Sequence, residues 1–269
     1  MSPSRWTPDD PTESLAASFH HPGVATAYAY RPPYPAEVFD ILDTLIVGTP
    51  RVVLDIGAGD GALARPLAER VDWVDAVEVS EAMIEAGRRR PGGRRPNLVW
   101  LHDTAENMPA GGSYGLVTAG ASLHWMSWEV ALDRIARALA PGAVLAIVDQ
   151  RYHRLDWHDN LVDVIVRYSR NPAYDPDFSL PDELERRGLL DIRGRRETAP
   201  TRLVQPIREY VEQFHSTASL ARELMSPHEA ARFDREVESL VRGYEADDGT
   251  LSMQITASII WGRLRTAGT

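Results

Sequence analysis

The chain has 269 residues, of which 43% are hydrophobic and 25% charged, and its formal net charge is −10. It contains no cysteine and no lysine, which excludes disulfides, thiolate catalysis, cysteine-ligated metals and lysine-based covalent chemistry. The acidic balance argues against non-specific binding to nucleic acid.

In chain order, residues 1–18 are polar and proline-rich and read as a mobile arm. The opening MSPSRWTPDDPTES lacks the apolar core of a signal peptide, and no stretch approaches the roughly 18 apolar residues of a membrane span, so a cytoplasmic protein is expected. Phe19 to Pro35, FHHPGVATAYAYRPPYP, is rich in aromatic and imidazole rings and ends in a proline turn. A helix follows with Val38, Ile41, Leu42 and Leu45 at helical spacing, stopped by Gly48 and Pro50.

Residues 51–80 organise the rest. Val52 to Ile56 is an apolar, β-branched run suited to a buried strand. Gly57, Gly59 and Gly61 come next, then a helical pattern with Leu63, Leu67 and Val71, and then a second apolar strand, Val74 to Val79, carrying Glu78 near its end. This is a βαβ nucleotide-binding unit. Glycine lets the turn press its backbone on a ligand, the turn amides form a partial-positive cup, and the carboxylate can accept two bonds from ribose hydroxyls.

The alternation continues. A helix is expected at 80–89, a charged, glycine-containing loop from Arg88 to Pro96, and strands at Leu98 to Leu101 and Tyr114 to Ala119. Leu132, Ile135, Ala136 and Leu139 share one side of a helix at 128–139, and Ala143 to Val148 is a purely apolar fifth strand. Alternating strands and helices predict a doubly wound, mostly parallel sheet. Beyond Asp149 come a helix around Leu161, Val164, Ile165 and Tyr168, a Pro/Asp-rich loop from Asn171 to Pro181, a short helix at 182–188 and a strand at 189–198. Residues 206–245 read as helical, with a Ser226-x-x-Glu229 capping box, and a last strand at roughly 251–261 completes seven strands.

The spacing Gly57-x-Gly59-x-x-Ala62 also fits a dinucleotide fingerprint, and a turn without any ligand would share its local shape. Asp55, two residues before the first glycine, and Gly61 extend the pattern to DxGxGxG, with an acid about twenty residues further on. That combination resembles motif I and the acidic motif of class I S-adenosylmethionine (SAM) methyltransferases. DTAENMP at 103–109 looks like the family's loop after strand three, and LAPGAVLAIV at 139–148 like its turn into strand five. AYAYRPPYP at 27–35, the pair His124-Trp125 and the closing IIWGRL resemble the small-molecule group that includes trans-aconitate methyltransferase.

The resemblance implies a Rossmann-like fold with a helical cap: an arm and cap at 1–35, a SAM-binding core at 36–152, a cap insertion at 153–188, and the end of the sheet at 189–269 with a further insertion at about 200–248. It implies that Gly57, Ala58 and Gly59 meet the methionine end of SAM through backbone, and that Glu78 holds the ribose. Ser80 and Met83 would border the adenine, and Asp103, Thr104 and Ala105 would contact its edge. Thr104 stands where relatives often have Asp, so Asp103 is the alternative acid for that contact. Tyr28 and Arg31 would close over the methionine end, and Ala119 and Gly120 would line the floor. Asp55 belongs to the same motif, with bonding to turn amides as the alternative role. A surface charge for Arg31 and a core position for Met83 are the corresponding alternatives.

Methyl transfer is an in-line displacement that needs no covalent intermediate, so the protein's task is alignment in a dry site. Aromatic faces suit a cationic sulfonium; Tyr34, Trp125, Trp128 and Trp157 are candidates to line the acceptor site. His124, just past strand four on the ligand-binding rim, is the candidate base, with a loop-shaping role as the alternative. The function expected is SAM-dependent methylation of a small molecule, at oxygen by a narrow margin over nitrogen, with S-adenosylhomocysteine (SAH) as product. Secondary metabolism is a fitting context; no metal, nucleic acid or membrane is expected. A non-methylating protein of the same fold, a cyclase or a partner-activating subunit, is the alternative, and a nicotinamide oxidoreductase comes third. The oligomeric state is not legible.

Overall fold

The computed structural model describes residues 15, 17–108, 111, 113–171, 175 and 178–265. The arm expected at 1–18 lies almost wholly outside them, as do Pro109 and parts of the loop at 171–181. In chain order the regular elements are α1 (Pro22–Ala27), α2 (Ala36–Leu45), β1 (Val52–Ile56), α3 (Ala64–Leu67), β2 (Trp73–Glu78), α4 (Glu81–Arg89), β3 (Leu98–His102), β4 (Leu116–Gly120), α5 (Trp128–Ala138) and β5 (Leu145–Tyr152). They continue with α6 (His158–Tyr168), α7 (Leu180–Arg186), β6 (Leu190–Glu197), β7 (Thr201–Pro206), α8 (Ile207–Glu212), α9 (Pro227–Val241) and β8 (Thr250–Leu264).

Two compact units divide these elements. One comprises the described residues of Tyr34–Arg151, Asp177–Ala199 and Thr256–Thr269. Its sheet has the order β3-β2-β1-β4-β5-β8-β6, parallel from β3 through β5, with β6 antiparallel to the second half of β8. This is a Rossmann-like α/β fold with the mostly parallel sheet that the sequence predicts, although β7, pairing with β8, brings its strands to eight rather than seven. The strand order reverses at β1/β4, because β1 pairs β2 on one side and β4 on the other, and it is outside the carboxyl ends at such a reversal that doubly wound sheets take their ligands. The register sets which residues reach that edge: Ile56 aligns with Val77, Glu78 with His102, and Asp55 with Thr118.

Burial explains the strand assignments. Val53 to Ile56 and Leu116 to Ala119 are buried without alternation, as strands covered on both faces must be. One face packs Leu54, Ile56, Val117 and Leu145 against Leu132 and Ile135 of α5 and Leu184 of α7. The other packs Val53, Val74, Leu116 and Ala146 against Val38 and Leu42 of α2 and against Leu63 and Leu67. Leu184 therefore puts α7, expected in the cap insertion, on the sheet.

The second unit comprises the described residues of Met1–Pro33, Tyr152–Pro176 and Pro200–Ile255. Its core joins Trp157, Leu161 and Val164 with Tyr210, Phe233, Val237 and Val241. The capping box that opens α9 is formed: Glu229 N–H donates to Ser226 Oγ at 3.2 Å, and Ser226 N–H to the Glu229 carboxylate at 2.9 Å. In this unit β7 pairs antiparallel with the first half of β8, from Thr201↔Ile255 to Pro206↔Thr250.

Three expectations about elements are corrected. β7 is an additional, eighth strand; Pro206 ends it, as a residue without an N–H can only at a strand terminus or edge. The stretch 206–245 is broken helix, with 3₁₀ turns at Gln213–Ser216, Ala218–Leu220 and Arg222–Leu224 between α8 and α9. The helix after the glycine turn is a single turn, Ala64–Leu67, because the i→i−4 bonds end with Ala68 N–H on Ala64 O and give way to the tighter bonds of Glu69 N–H to Pro66 O and Arg70 N–H to Leu67 O.

Candidate active site at the carboxyl edge of the sheet

β1 delivers the chain to the carboxyl edge and Gly57 turns it, with φ of +61°. A Cβ there would lie 2.5 Å from Ser122 Cβ and 3.2 Å from Met126 Cε. Only glycine therefore fits, on grounds of both backbone and space. Ser122 is fixed by donating from its hydroxyl to Ile56 O at 2.7 Å. The turn closes with Gly61 N–H on Ala58 O at 2.8 Å, and Ala58 N–H is held by Val77 O at 3.0 Å.

Glu78 fastens this turn to β2. One carboxylate oxygen accepts Gly59 N–H at 2.7 Å, the other Ser80 N–H at 2.9 Å. Its side chain is only 6% exposed, so these charge-assisted bonds are made in a low-dielectric setting where they are strong. Ser80 in turn caps α4, accepting Met83 N–H at 3.3 Å, and both residues are buried. At the end of β3, Asp103 N–H donates to Glu78 O at 3.2 Å, and the Asp103 carboxylate accepts Thr104 N–H at 2.8 Å, starting the turn that carries buried Ala105.

Asp55 is 1% exposed and lies one strand position below the turn. Thr118 Oγ1 donates to it at 2.7 Å. Burial pushes its pKa up to about 7, the nearby Glu78 charge pushes the same way, and the bonds from Thr118 and the Ala64 amide oppose them only in part.

On the β4 side, Ala119 is buried and Gly120 is so crowded that a Cβ would sit 2.8 Å from the Tyr34 hydroxyl and 2.9 Å from Leu63 Cδ1. Tyr34 thus reaches the same edge. Ala121 has φ of +48°, a strained value for a residue with a Cβ, and strain of this kind concentrates at functional sites. The exposed ring of His124 follows in a 3₁₀ turn and stacks on Trp125 with centroids 4.6 Å apart.

The sheet unit therefore gathers Tyr34, Asp55, Gly57, Ala58, Gly59, Glu78, Ser80, Asp103, Thr104, Gly120, His124 and Trp125 along the ends of neighbouring strands. Trp128 is elsewhere: it is 6% exposed, part of the core, with its indole N–H on Leu123 O at 2.9 Å and the Arg187 guanidinium over its ring. Tyr28, Arg31 and Trp157 belong to the helical unit. There Arg31 lies over the Tyr28 ring, 4.0 Å from its centroid, and donates to Ser216 Oγ at 2.7 Å. Trp157 is buried with its indole N–H on the Tyr210 hydroxyl at 2.9 Å. Sequence reasoning missed Ser122 and Thr118. The only trace they leave is a hydroxyl in an otherwise apolar strand and strand end.

Among the described residues no group of His, Asp and Glu side chains could hold a metal ion, and no helix is long and apolar enough to cross a membrane. Residues 53–142 match the family described as "Methyltransferase domain". The chain is 36% identical over 139 residues to an uncharacterized methyltransferase of Mycobacterium tuberculosis, spanning 51% of this chain and 54% of that one. The chain thus spans about half the length of the curated relatives it matches. Among solved structures, a proposed type II methyltransferase from Anaeromyxobacter dehalogenans superposes with a TM-score of 0.59 at 21% identity, covering 87% of this chain and 97% of that one. A SAM-dependent methyltransferase from Geobacter sulfurreducens, in complex with SAH, superposes at 0.50 with 14% identity over 86% of this chain and 92% of that one. The glycine turn, its carboxylate clasp and the strand reversal all fall within the matched segment: residues 53–142 of this chain match a methyltransferase domain.

Proposed function

We propose that this chain transfers a methyl group from SAM to a small-molecule acceptor, with an oxygen nucleophile favoured over nitrogen. The observation that carries the reading is the Glu78 clasp on Gly59 and Ser80, which holds a backbone cup and a carboxylate side by side at the strand reversal. The turn takes this course only with glycine at position 57, where a Cβ would strike Ser122 and Met126. The residues fit the donor: backbone of Gly57 to Gly59 for its amino-acid end, Glu78 for its ribose, Ser80, Met83 and Asp103 to Ala105 for its adenine. Bound SAM supplies a methyl carbon on a cationic sulfonium, a good leaving group.

The protein's own work is to bind, align and exclude water. His124, exposed on the rim beside Trp125, is placed to accept the proton of a hydroxyl acceptor. Tyr34 and Trp125 offer aromatic surface on the same edge. The roles of Tyr28, Arg31 and Trp157, the likeness to the trans-aconitate group and a place in secondary metabolism rest on the sequence resemblance. The net charge of −10 favours a small acceptor over nucleic acid.

The test is calorimetric binding of SAH together with transfer of labelled methyl from SAM to a library of hydroxy and amino acceptors. Glu78→Ala should weaken SAH binding at least tenfold through loss of charge-assisted bonds; unchanged affinity rejects the assignment. His124→Ala should keep SAH affinity and slow turnover on hydroxyl acceptors. Unaltered turnover would remove the base.

A further inference from the structure

The end of α4 and the loop that follows it, RRRPGGRR at 88–95, carry five of the chain's arginines in eight residues, in a protein whose net charge is −10. The methyltransferase reading makes no use of it. Arg88, Arg89, Arg90, Gly92, Arg94 and Arg95 line a wide-open bowl of about 600 Å³. That volume is in the range of small-ligand pockets.

Charge in the bowl is not balanced. With Arg65 there are six guanidiniums, and the carboxylates paired with them are Asp60, Glu69 and Glu85. Glu85 serves both Arg88 at 3.0 Å and Arg89 at 3.7 Å. Asp60 pairs with Arg90 at 2.8 Å, and Glu69 pairs with Arg95. Among the described residues Arg94 meets only a carbonyl, donating from Nε to Arg88 O at 3.3 Å. The excess is about two positive charges within residues 88–95, and Arg65 of α3 adds one more beside them. Arg95 Nε is buried without a hydrogen-bond partner. Burial depresses the Arg65 pKa, and repulsion from Arg90 adds to that effect against the pull of Asp60.

The loop is also fastened. Arg65 donates to Pro91 O at 3.1 Å, the Trp100 indole N–H to Gly93 O at 2.9 Å, Gly93 N–H to Arg90 O at 3.0 Å and Arg90 N–H to Gly87 O at 3.1 Å. The guanidiniums therefore project from a fixed backbone, and a ligand would have to order only the side chains.

We propose that this bowl binds a small polyanion of the phosphate class, a diphosphate or a phosphate ester with at least two negative charges. Planar guanidiniums grip such oxygens bidentately. A concave site on an acidic chain selects a compact anion over a long polyanion, which the rest of the surface would repel. The proposal is independent of the methyltransferase reading.

The test titrates the full chain with inorganic pyrophosphate by calorimetry, with ionic strength held at about 150 mM to screen diffuse attraction. Saturable one-to-one binding is expected, and the double variant Arg89→Gln/Arg94→Gln should bind at least tenfold more weakly. Arg137→Gln/Arg263→Gln removes the same charge from exposed positions outside the bowl and should bind as the parent does. Absence of saturable binding overturns the proposal, and so does an equal loss in both double variants.

Discussion

Asp55→Asn isolates the cost of keeping a carboxyl inside the strand beneath the glycine turn. The folded protein holds the Asp55 proton up to about pH 7, whereas the unfolded chain releases it near the ordinary carboxylate value. Because the folded pKa is raised, this group's favourable contribution is complete at acid pH. It is lost as pH rises through the window up to about 7, and is flat above it. From pH 5 to the folded value is about two units, and at roughly 1.36 kcal/mol per unit the loss is about 3 kcal/mol. Asparagine keeps an oxygen for the Thr118 hydroxyl and does not titrate. Urea unfolding of both proteins at pH 5 and pH 8 should therefore show the variant gaining about 3 kcal/mol on the parent over that interval. A stability difference that stays constant across the two pH values would refute the reasoning.

Gly57→Ala combines a left-handed φ with a clash on Ser122, so a loss of roughly 2–4 kcal/mol is expected, and Ser122→Gly in the same chain should return part of it. Denaturation of the four members of that cycle gives the coupling; additivity would show that the two side chains do not meet. Ser226→Ala should cost about 1 kcal/mol by opening the capping box of α9, read as a lower urea midpoint with unchanged slope. Arg31→Gln should weaken SAH binding if the carboxylate role implied by sequence holds, and equal affinity would leave Arg31 as the partner of Ser216 alone.

What the sequence displayed well is what is local. The β1 turn and Glu78 announce themselves because three glycines and one acid at fixed spacing have few other uses, and the structure joins them by direct bonds. The apolar runs of β1, β4 and β5 are visible because strands buried on both faces need no alternation. Ser122 and Thr118 were hidden because their role depends on neighbours more than sixty residues away, Ile56 and Asp55. β7 escaped because TRLVQP is short, mostly exposed and proline-terminated, and owes its state to pairing with β8. β5 runs on to Tyr152 through polar Asp149, Gln150 and Arg151, which periodicity alone assigns to a loop. Trp128 and Trp157 show the limit of choosing residues by type: aromatic rings suit a sulfonium and a core equally, and the structure buries both.

The family match ends at residue 142, three positions before β5 begins. A fragment cut there would strip β4 of the neighbour it pairs with from Val117↔Leu145 to Gly120↔Val148, baring the backbone donors and acceptors of a mostly apolar strand. It would also lose Leu145, Leu184 and Leu190 from the layer that covers α5. The span by which the domain is identified is thus shorter than the span that can fold. Anyone expressing residues 53–142 alone should expect inclusion bodies, and should carry the chain through β8 to avoid them.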